Sequence, residues 1–325
     1  MKEIGGYFQM ETLNGKEYHK SLLRLNLGRT ALLYALEELS VKVLYLPRFI
    51  CDSVTSVCES WDGTVKWYPV ARDFLPSDSF VPQPGSYVYL INYYGQLTEE
   101  KIISLKKKYG NILVDHTHDF FQRPVEGIPT LYSCRKFFGL PDGSYLYLPQ
   151  IPDSYESLPK DSSSSRMSHI LGRYEHSASD HYQDMLDTAH DFYKEPVKRM
   201  SALTENLLRG IDYETAARRR VTNYKVLDSL LSAQNGMTFS MPQVPFVYPF
   251  YTKQAAVLKK KLSAEKIFVP TYWNNVISQC PSDCTEWDLA SHIMPLPVDQ
   301  RYQPEDMEYM AHILLQHLQE TGDVL

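Results

Sequence analysis

The chain has 325 residues, too many for one small core, and its 43% hydrophobic and 22% charged residues are the balance of a globular protein exposed to water. A formal charge of −6 and a pI near 5.9 leave no basic face of the kind nucleic-acid binding requires. No apolar run approaches the roughly 20 residues of a membrane-spanning helix. The N-terminal stretch lacks the apolar centre of a signal peptide, so the expected location is the cytoplasm. Cys51, Cys58, Cys134, Cys280 and Cys284 are odd in number and lack a disulfide or metal-ligand spacing, which fits a reducing compartment and predicts no metal site. The 24 tyrosines, each a large ring with a hydrogen-bonding tip, suit interfaces and polar pockets.

In chain order, Ala31, Leu32, Ala35, Leu36 and Leu39 share one helical face, and Val43 to Leu46 reads as a strand closed by Pro47. A second helix is expected over 52 to 60 and a strand over 65 to 69. Tyr87 to Ile91 is an unbroken apolar run, as in a strand buried on both faces. Glu99 to Tyr109 reads as a helix with lysines at its C-terminal end, and Ile112 to Val114 as a strand ending in Asp115. This alternation predicts an α/β domain with a mainly parallel sheet. Residues 153 to 165 are Ser-rich and predict a loop, followed by a charged, helical stretch from 166 to 232. The Arg218, Arg219 and Arg220 triplet within it reads as a solvated helix face. Strands at 246 to 251 and 267 to 270, with helices at 255 to 262 and 304 to 319, predict a small α+β domain.

In an open α/β sheet, ligands sit beyond the carboxyl ends of the strands. Four loops there carry functional residue types. Gly28-Arg29-Thr30 opens a helix, and is either a phosphate-binding turn or an ordinary cap. Asn92-Tyr93-Tyr94-Gly95 either lines a pocket or simply turns the chain. Asp115-His116-Thr117-His118-Asp119 is costly to bury unpaired. A metal is the rival reading, but alternate residues of an extended segment face opposite ways, which favours an organic cofactor. Lys136 follows Arg135 and precedes Phe137 and Phe138. It is either a surface lysine or a nucleophilic amine whose pKa a neighbouring cation and desolvation lower.

Taken together, LGRTALLYALEEL, VLYLPRFICDSV, the run from YVYLINYYGQ to VDHTHDFF, SCRKFFGLPDGSYLYL and the late YWNN resemble the DegT/DnrJ-type sugar aminotransferases. These belong to the aspartate aminotransferase-like enzymes dependent on pyridoxal 5′-phosphate (PLP). The resemblance implies a large PLP-binding domain over 1–235, with an N-terminal arm at 1–24 and a helical insertion at about 153–210, and a small α+β domain over 236–325. It implies that Lys136 carries the cofactor and moves a proton, that Asp115 pairs with the pyridine nitrogen, and that His118 packs against the ring. Gly28, Arg29, Thr30 and Ser133 would hold the phosphate. Cys51 falls where relatives place a stacking aromatic, leaving Phe49 or Tyr94 as candidates for that contact. Ser133 lies three residues before Lys136 rather than five, and the relatives' Gly-Asn-Tyr-Arg segment is replaced by the 153–210 stretch. The implied activity is amino transfer from an amino acid to a keto sugar, nucleotide-linked, in a homodimer. The alternatives are PLP chemistry without net amino transfer, as in a sugar dehydratase, and a non-catalytic protein that keeps the fold.

Overall fold

The computed structural model describes residues 4–321; the first three residues of the 1–24 arm and the last four of the 236–325 unit lie outside it. The strands are β1 (Leu23–Leu25), β2 (Val43–Pro47), β3 (Thr64–Tyr68), β4 (Tyr87–Ile91), β5 (Asn111–Asp115), β6 (Thr130–Ser133) and β7 (Ser144–Tyr147). They form a seven-stranded sheet in the order β1-β7-β6-β5-β4-β2-β3. The five from β3 to β6 in that order are mutually parallel, and β7 and β1 close one edge antiparallel. The apolar runs of β4 and β5 are buried almost throughout, as a sheet covered on both faces demands.

The helices between them are α1 (Gly28–Glu38), α2 (Asp52–Glu59) and α3 (Glu99–Tyr109). Helix α3 has its limits written in sequence. Thr98 accepts a hydrogen bond from the Lys101 amide, two glutamates fill the first turn, and three lysines fill the last. Gly110 then takes φ 78°, a backbone state that stops the helix and suits glycine.

Residues 153–210 leave the sheet and return. They contain 3-10 turns at Asp153–Ser157 and Ser164–Arg166, then α4 (Ser168–Glu175), α5 (Tyr182–Asp191), a 3-10 turn at Phe192–Lys194, and α6 (Ala202–Arg209). Asp142, in the turn after Lys136, fastens this segment: its carboxylate accepts from the Ser201 amide and from the hydroxyls of Ser201 and Thr204.

Helix α7 (Tyr213–Leu231) leads to a second core around the antiparallel pair β8 (Val247–Tyr251) and β9 (Ile293–Pro297). This part also contains α8 (Ala255–Ala264), α9 (Asn274–Gln279), α10 (Thr285–His292) and α11 (Pro304–Thr321). The core joins Tyr224 and Leu227 of α7 to Phe250, Leu258, Met294 and Leu314.

Two expectations are corrected. Ile267–Pro270 is not a strand; Lys266 adopts φ 59°, Pro270 lacks an amide, and the segment runs irregularly along a cavity wall. The partner of β8 is β9 instead. Nor is the arginine triplet uniformly solvated. Arg220 is 1% exposed and donates to the carbonyls of Phe137, Pro245 and Phe246 and to Gln300.

Candidate active site

Because β2, β4, β5 and β6 run parallel, their carboxyl ends deliver four loops to one edge. There they enclose a cavity of about 320 Å³, whose wall includes Gly28, Arg29, Cys51, Asp115, His118 and Ser133. Lys136 stands at its junction with a neighbouring cavity of about 630 Å³, and both spaces share Arg135, Lys136 and Tyr272.

Lys136 ends the short 3-10 turn Cys134–Lys136 after β6. It is set deep in the molecule, yet its side chain is exposed because empty space, not packing, surrounds it. Its Nζ lies 5.6 Å from the centre of the Tyr272 ring. Desolvation lowers the lysine pKa, and the adjacent Arg135 guanidinium pushes the same way; Cys51 and Asp115 oppose them. Phe137 and Phe138 are not on either cavity wall, so the expected apolar covering of Lys136 comes from Tyr272 instead.

Asp115 closes β5 and is 6% exposed. One oxygen accepts from the Thr117 amide at 2.7 Å and the other from the Tyr89 hydroxyl at 2.6 Å. Burial raises its pKa, while these two donors and Lys136 hold it down. His118 is stacked on Phe246 at 4.6 Å and 27°, with Tyr94, Tyr272 and Trp273 around it. Desolvation, then Lys136, takes its pKa well below the usual value, so the ring is neutral. Its Nδ1 is buried without a hydrogen-bond partner. His116 and Asp119 face the opposite side, where Asn92 donates to both. The five-residue cluster is thus split between two faces of the segment.

Helix α1 brings Gly28 and Arg29 to the same wall, and a side-chain carbon on Gly28 would sit 3.7 Å from Ser133 Cβ. Thr30 is close in sequence but differently used. Its hydroxyl accepts from the Leu27 amide and is bonded to Asn26, so it caps the helix and is off the cavity wall. Phe49 and Tyr94 are also off that wall; Phe49 stacks on Tyr93 at 5.0 Å. The aromatic rings that do reach the cavity are Tyr89, Tyr272 and Trp273. Trp273 holds a left-handed φ of 56°, a strained state that the loop before α9 sustains at the cavity wall. Tyr272, Trp273, Thr117 and Arg135 were not singled out as site residues from the sequence. The one signal was the YWNN run.

The lysine after β6, the aspartate ending the adjacent β5 and the α1 N-terminus share one cavity, and the fold that brings them together is that of solved aminotransferases. No family model matches the chain, and no curated protein matches it. Solved structures do. The sugar aminotransferase CalS13 from Micromonospora echinospora superposes with a TM-score of 0.64 at 14% identity, over 91% of this chain and 87% of its own. NtdA from Bacillus subtilis, solved with bound cofactor PMP (pyridoxamine 5′-phosphate), gives 0.64 at 11%, over 94% and 79%. A DegT DnrJ EryC1 StrS aminotransferase from Brucella abortus gives 0.60 at 13%, over 91% and 85%. At such identities the likeness establishes the fold.

Proposed function

We propose that the chain is a PLP-dependent aminotransferase that moves an amino group from an amino acid to a keto sugar, nucleotide-linked, and that it works as a cytoplasmic homodimer. The carrying observation is the meeting of Lys136, Asp115, His118, Ser133 and the α1 N-terminus in one cavity. The printed descriptions of CalS13 as a sugar aminotransferase and of NtdA with PMP support the same reading.

The residues fit this cofactor. Two buried nitrogens on or beside the cavity, Arg29 Nη1 and His118 Nδ1, have no partner, and a phosphate and a ring oxygen are the acceptors they lack. Asp115 keeps a spare lone pair on each oxygen beyond its two donors. When bound, PLP supplies an electron sink for the carbanion at the reacting carbon. The remaining work belongs to the chain. Lys136, with its pKa lowered, offers a neutral amine as the nucleophile and then takes and returns the proton at its Nζ. Asp115 keeps positive charge on the ring nitrogen by facing it with a carboxylate. Gly28, Arg29 and Ser133 would hold the phosphate, with Cys51 part of the wall and Thr30 capping the helix behind them. Tyr272 and Trp273 keep water from the reacting atoms. The 630 Å³ cavity, with Arg173 and Lys266 on its wall, offers room and positive charge for the phosphates of the acceptor. The division into 1–235 and 236–325 belongs to this proposal, with α7 packing into the second core.

The test is spectroscopic. The protein with PLP should show a band near the visible-violet that Lys136→Ala abolishes and that an amino donor converts to the PMP spectrum. No band at saturating PLP overturns the reading. A band that no amino donor converts favours PLP chemistry without net transfer.

A further inference from the structure

Two guanidinium groups, Arg29 on α1 and Arg135 beside Lys136, line the 320 Å³ cavity, and Arg166 of the 153–210 segment lies near Arg135. Arg29 and Arg166 are both near enough to disfavour the charge on Arg135. Their partners differ. Arg166 is paired with Asp161 at 2.5 Å and Glu195 at 3.4 Å. Among the described residues no carboxylate pairs with Arg29 or Arg135, and Arg29 Nη1 is buried without any acceptor. Arg29 also stands in the first turn of α1, where the helix dipole repels a cation and no acidic residue compensates. A sequence that breaks this rule beside a second cation, which has Asp142 in its neighbourhood but no carboxylate in ion-pair contact, is arranged for an anion that the chain itself does not provide.

Both guanidinia are held by consecutive aromatics of one turn. The Phe192 ring lies 4.0 Å from Arg135 Cζ, and the Tyr193 ring lies 4.3 Å from Arg29 Cζ. A guanidinium stacked by its face keeps its N–H edge free for a planar fork onto oxygen. Just after this turn, Glu195 is fixed by Lys198 at 2.7 Å and by Arg166, so the aromatic pair is anchored.

We propose that Arg29 and Arg135 bind one phosphate dianion between them, and that Phe192 and Tyr193 are positioning residues that aim the two guanidinia at it. This rests on the PLP reading, in which the dianion is the cofactor's phosphate. It adds Arg135 to the site and gives the 153–210 segment a function: it completes the phosphate cradle from within the same chain. Two cations match a group carrying close to two negative charges.

The experiment uses the full-length apoprotein and three ligands: PLP, pyridoxal (which lacks the phosphate) and inorganic phosphate. Wild type should prefer PLP to pyridoxal and gain thermal stability from inorganic phosphate. Arg29→Gln and Arg135→Gln should each cut the PLP-over-pyridoxal preference by about 10- to 100-fold, the loss expected of one charged hydrogen-bonding group. Pyridoxal affinity should stay within about twofold in Arg29→Gln, and in Arg135→Gln, where the Lys136 amine also changes, it should fall by less than PLP affinity does. Tyr193→Leu, at a half-exposed and fold-tolerant position, should reduce the preference by about threefold, while Tyr193→Phe keeps the ring and should not. Arg135→Lys guards against misfolding and should recover part of the loss. A preference for PLP unchanged in Arg135→Gln, with a raised KM for donor or acceptor, overturns the proposal and assigns Arg135 to substrate. If wild type binds neither PLP nor pyridoxal but inorganic phosphate stabilises it through Arg29 and Arg135, the cradle stands and the cofactor reading falls.

Discussion

The sheet edge that presents Asp115 and Lys136 and the 153–210 segment that leans on it are built by different physics. At the edge, backbone ladders fix the geometry: β5 pairs with β4 over five residues, and β6 returns antiparallel to β7 over four. Strand register therefore decides where each functional group stands. The segment has no such ladder beyond isolated bridges at Arg199. Its α5 buries no residue, and Leu171, Tyr174 and Tyr182 are exposed. It is held by side chains, through the Asp142 anchor, the Asp161–Arg166–Glu195–Lys198 ion network and two ring-on-guanidinium stacks. Chemistry thus sits on strand ends, and closure of the anion end on a segment held by side chains, among them the buried Phe192, Met200 and Leu208.

The largest effect separating the two regions should come from Lys136→Ala. The side chain faces empty space, so its removal should leave the urea midpoint almost unchanged while cutting amino transfer by about 10³-fold or more, as loss of an acid/base group does. A large drop in stability instead would make Lys136 a packing residue. Next is Arg220→Met. This buried guanidinium ties Phe137, one residue after Lys136, to the carbonyls before β8, and Gln300 bonds the same Phe137 carbonyl. Deleting it strands several acceptors, for an expected loss on the order of 3 kcal/mol in equilibrium unfolding. Asp161→Asn should show the contrast from the other side. It weakens two ion pairs, one of them between the buried Asp161 and Arg166, so a loss of up to about 3 kcal/mol should appear as faster limited proteolysis within 166–191, ahead of any shift in the global midpoint.

How legible each region was follows from the same contrast. The apolar runs of β4 and β5 and the capped ends of α3 are local signals, and they appear in the structure where the residues place them. Lys136, Asp115 and His118 were singled out as candidates because each stands at or just after a strand's carboxyl end, and their expected roles came from the family resemblance. What stayed hidden depends on partners distant in sequence. Nothing near Arg220 indicates a carbonyl 83 residues away. Nothing near Thr30 says that its hydroxyl turns to Asn26 rather than to the cavity. Strand β9, Ile-Met-Pro-Leu-Pro, was obscured because two prolines argue against a strand, although an edge position in a two-stranded sheet tolerates them. Arg135 was read only as a cation beside the lysine, since the rings that orient it lie in the segment with the weakest periodic pattern.

The smallest effect expected of the wild type concerns the back of the sheet edge, where two buried groups answer acid in opposite directions. His116 is fully buried behind Asp115, and its Nε2 has no partner. Desolvation, with a small contribution from His19, lowers its pKa to about 3 from an ordinary 6.5. Between those values the folded chain binds fewer protons at this site than the unfolded chain, so stability falls as pH is lowered from 6.5. The site should contribute about 1.4 kcal/mol per pH unit over that range. Asp119, raised by burial to about 7 from 3.8, acts in the opposite direction: the folded chain holds the extra proton, and acidification from pH 7 favours folding. The two slopes overlap between pH 6.5 and 3.8 and largely cancel in the wild type. His116→Gln removes one of them. Unfolding midpoints between pH 7 and 4.5 should therefore be nearly flat in the wild type and rise on acidification in His116→Gln, where the Asp119 slope stands alone. Parallel profiles in the two proteins would mean that His116 takes up its proton as readily in the folded chain as in the unfolded one, and the edge would be less rigid than its ladders imply.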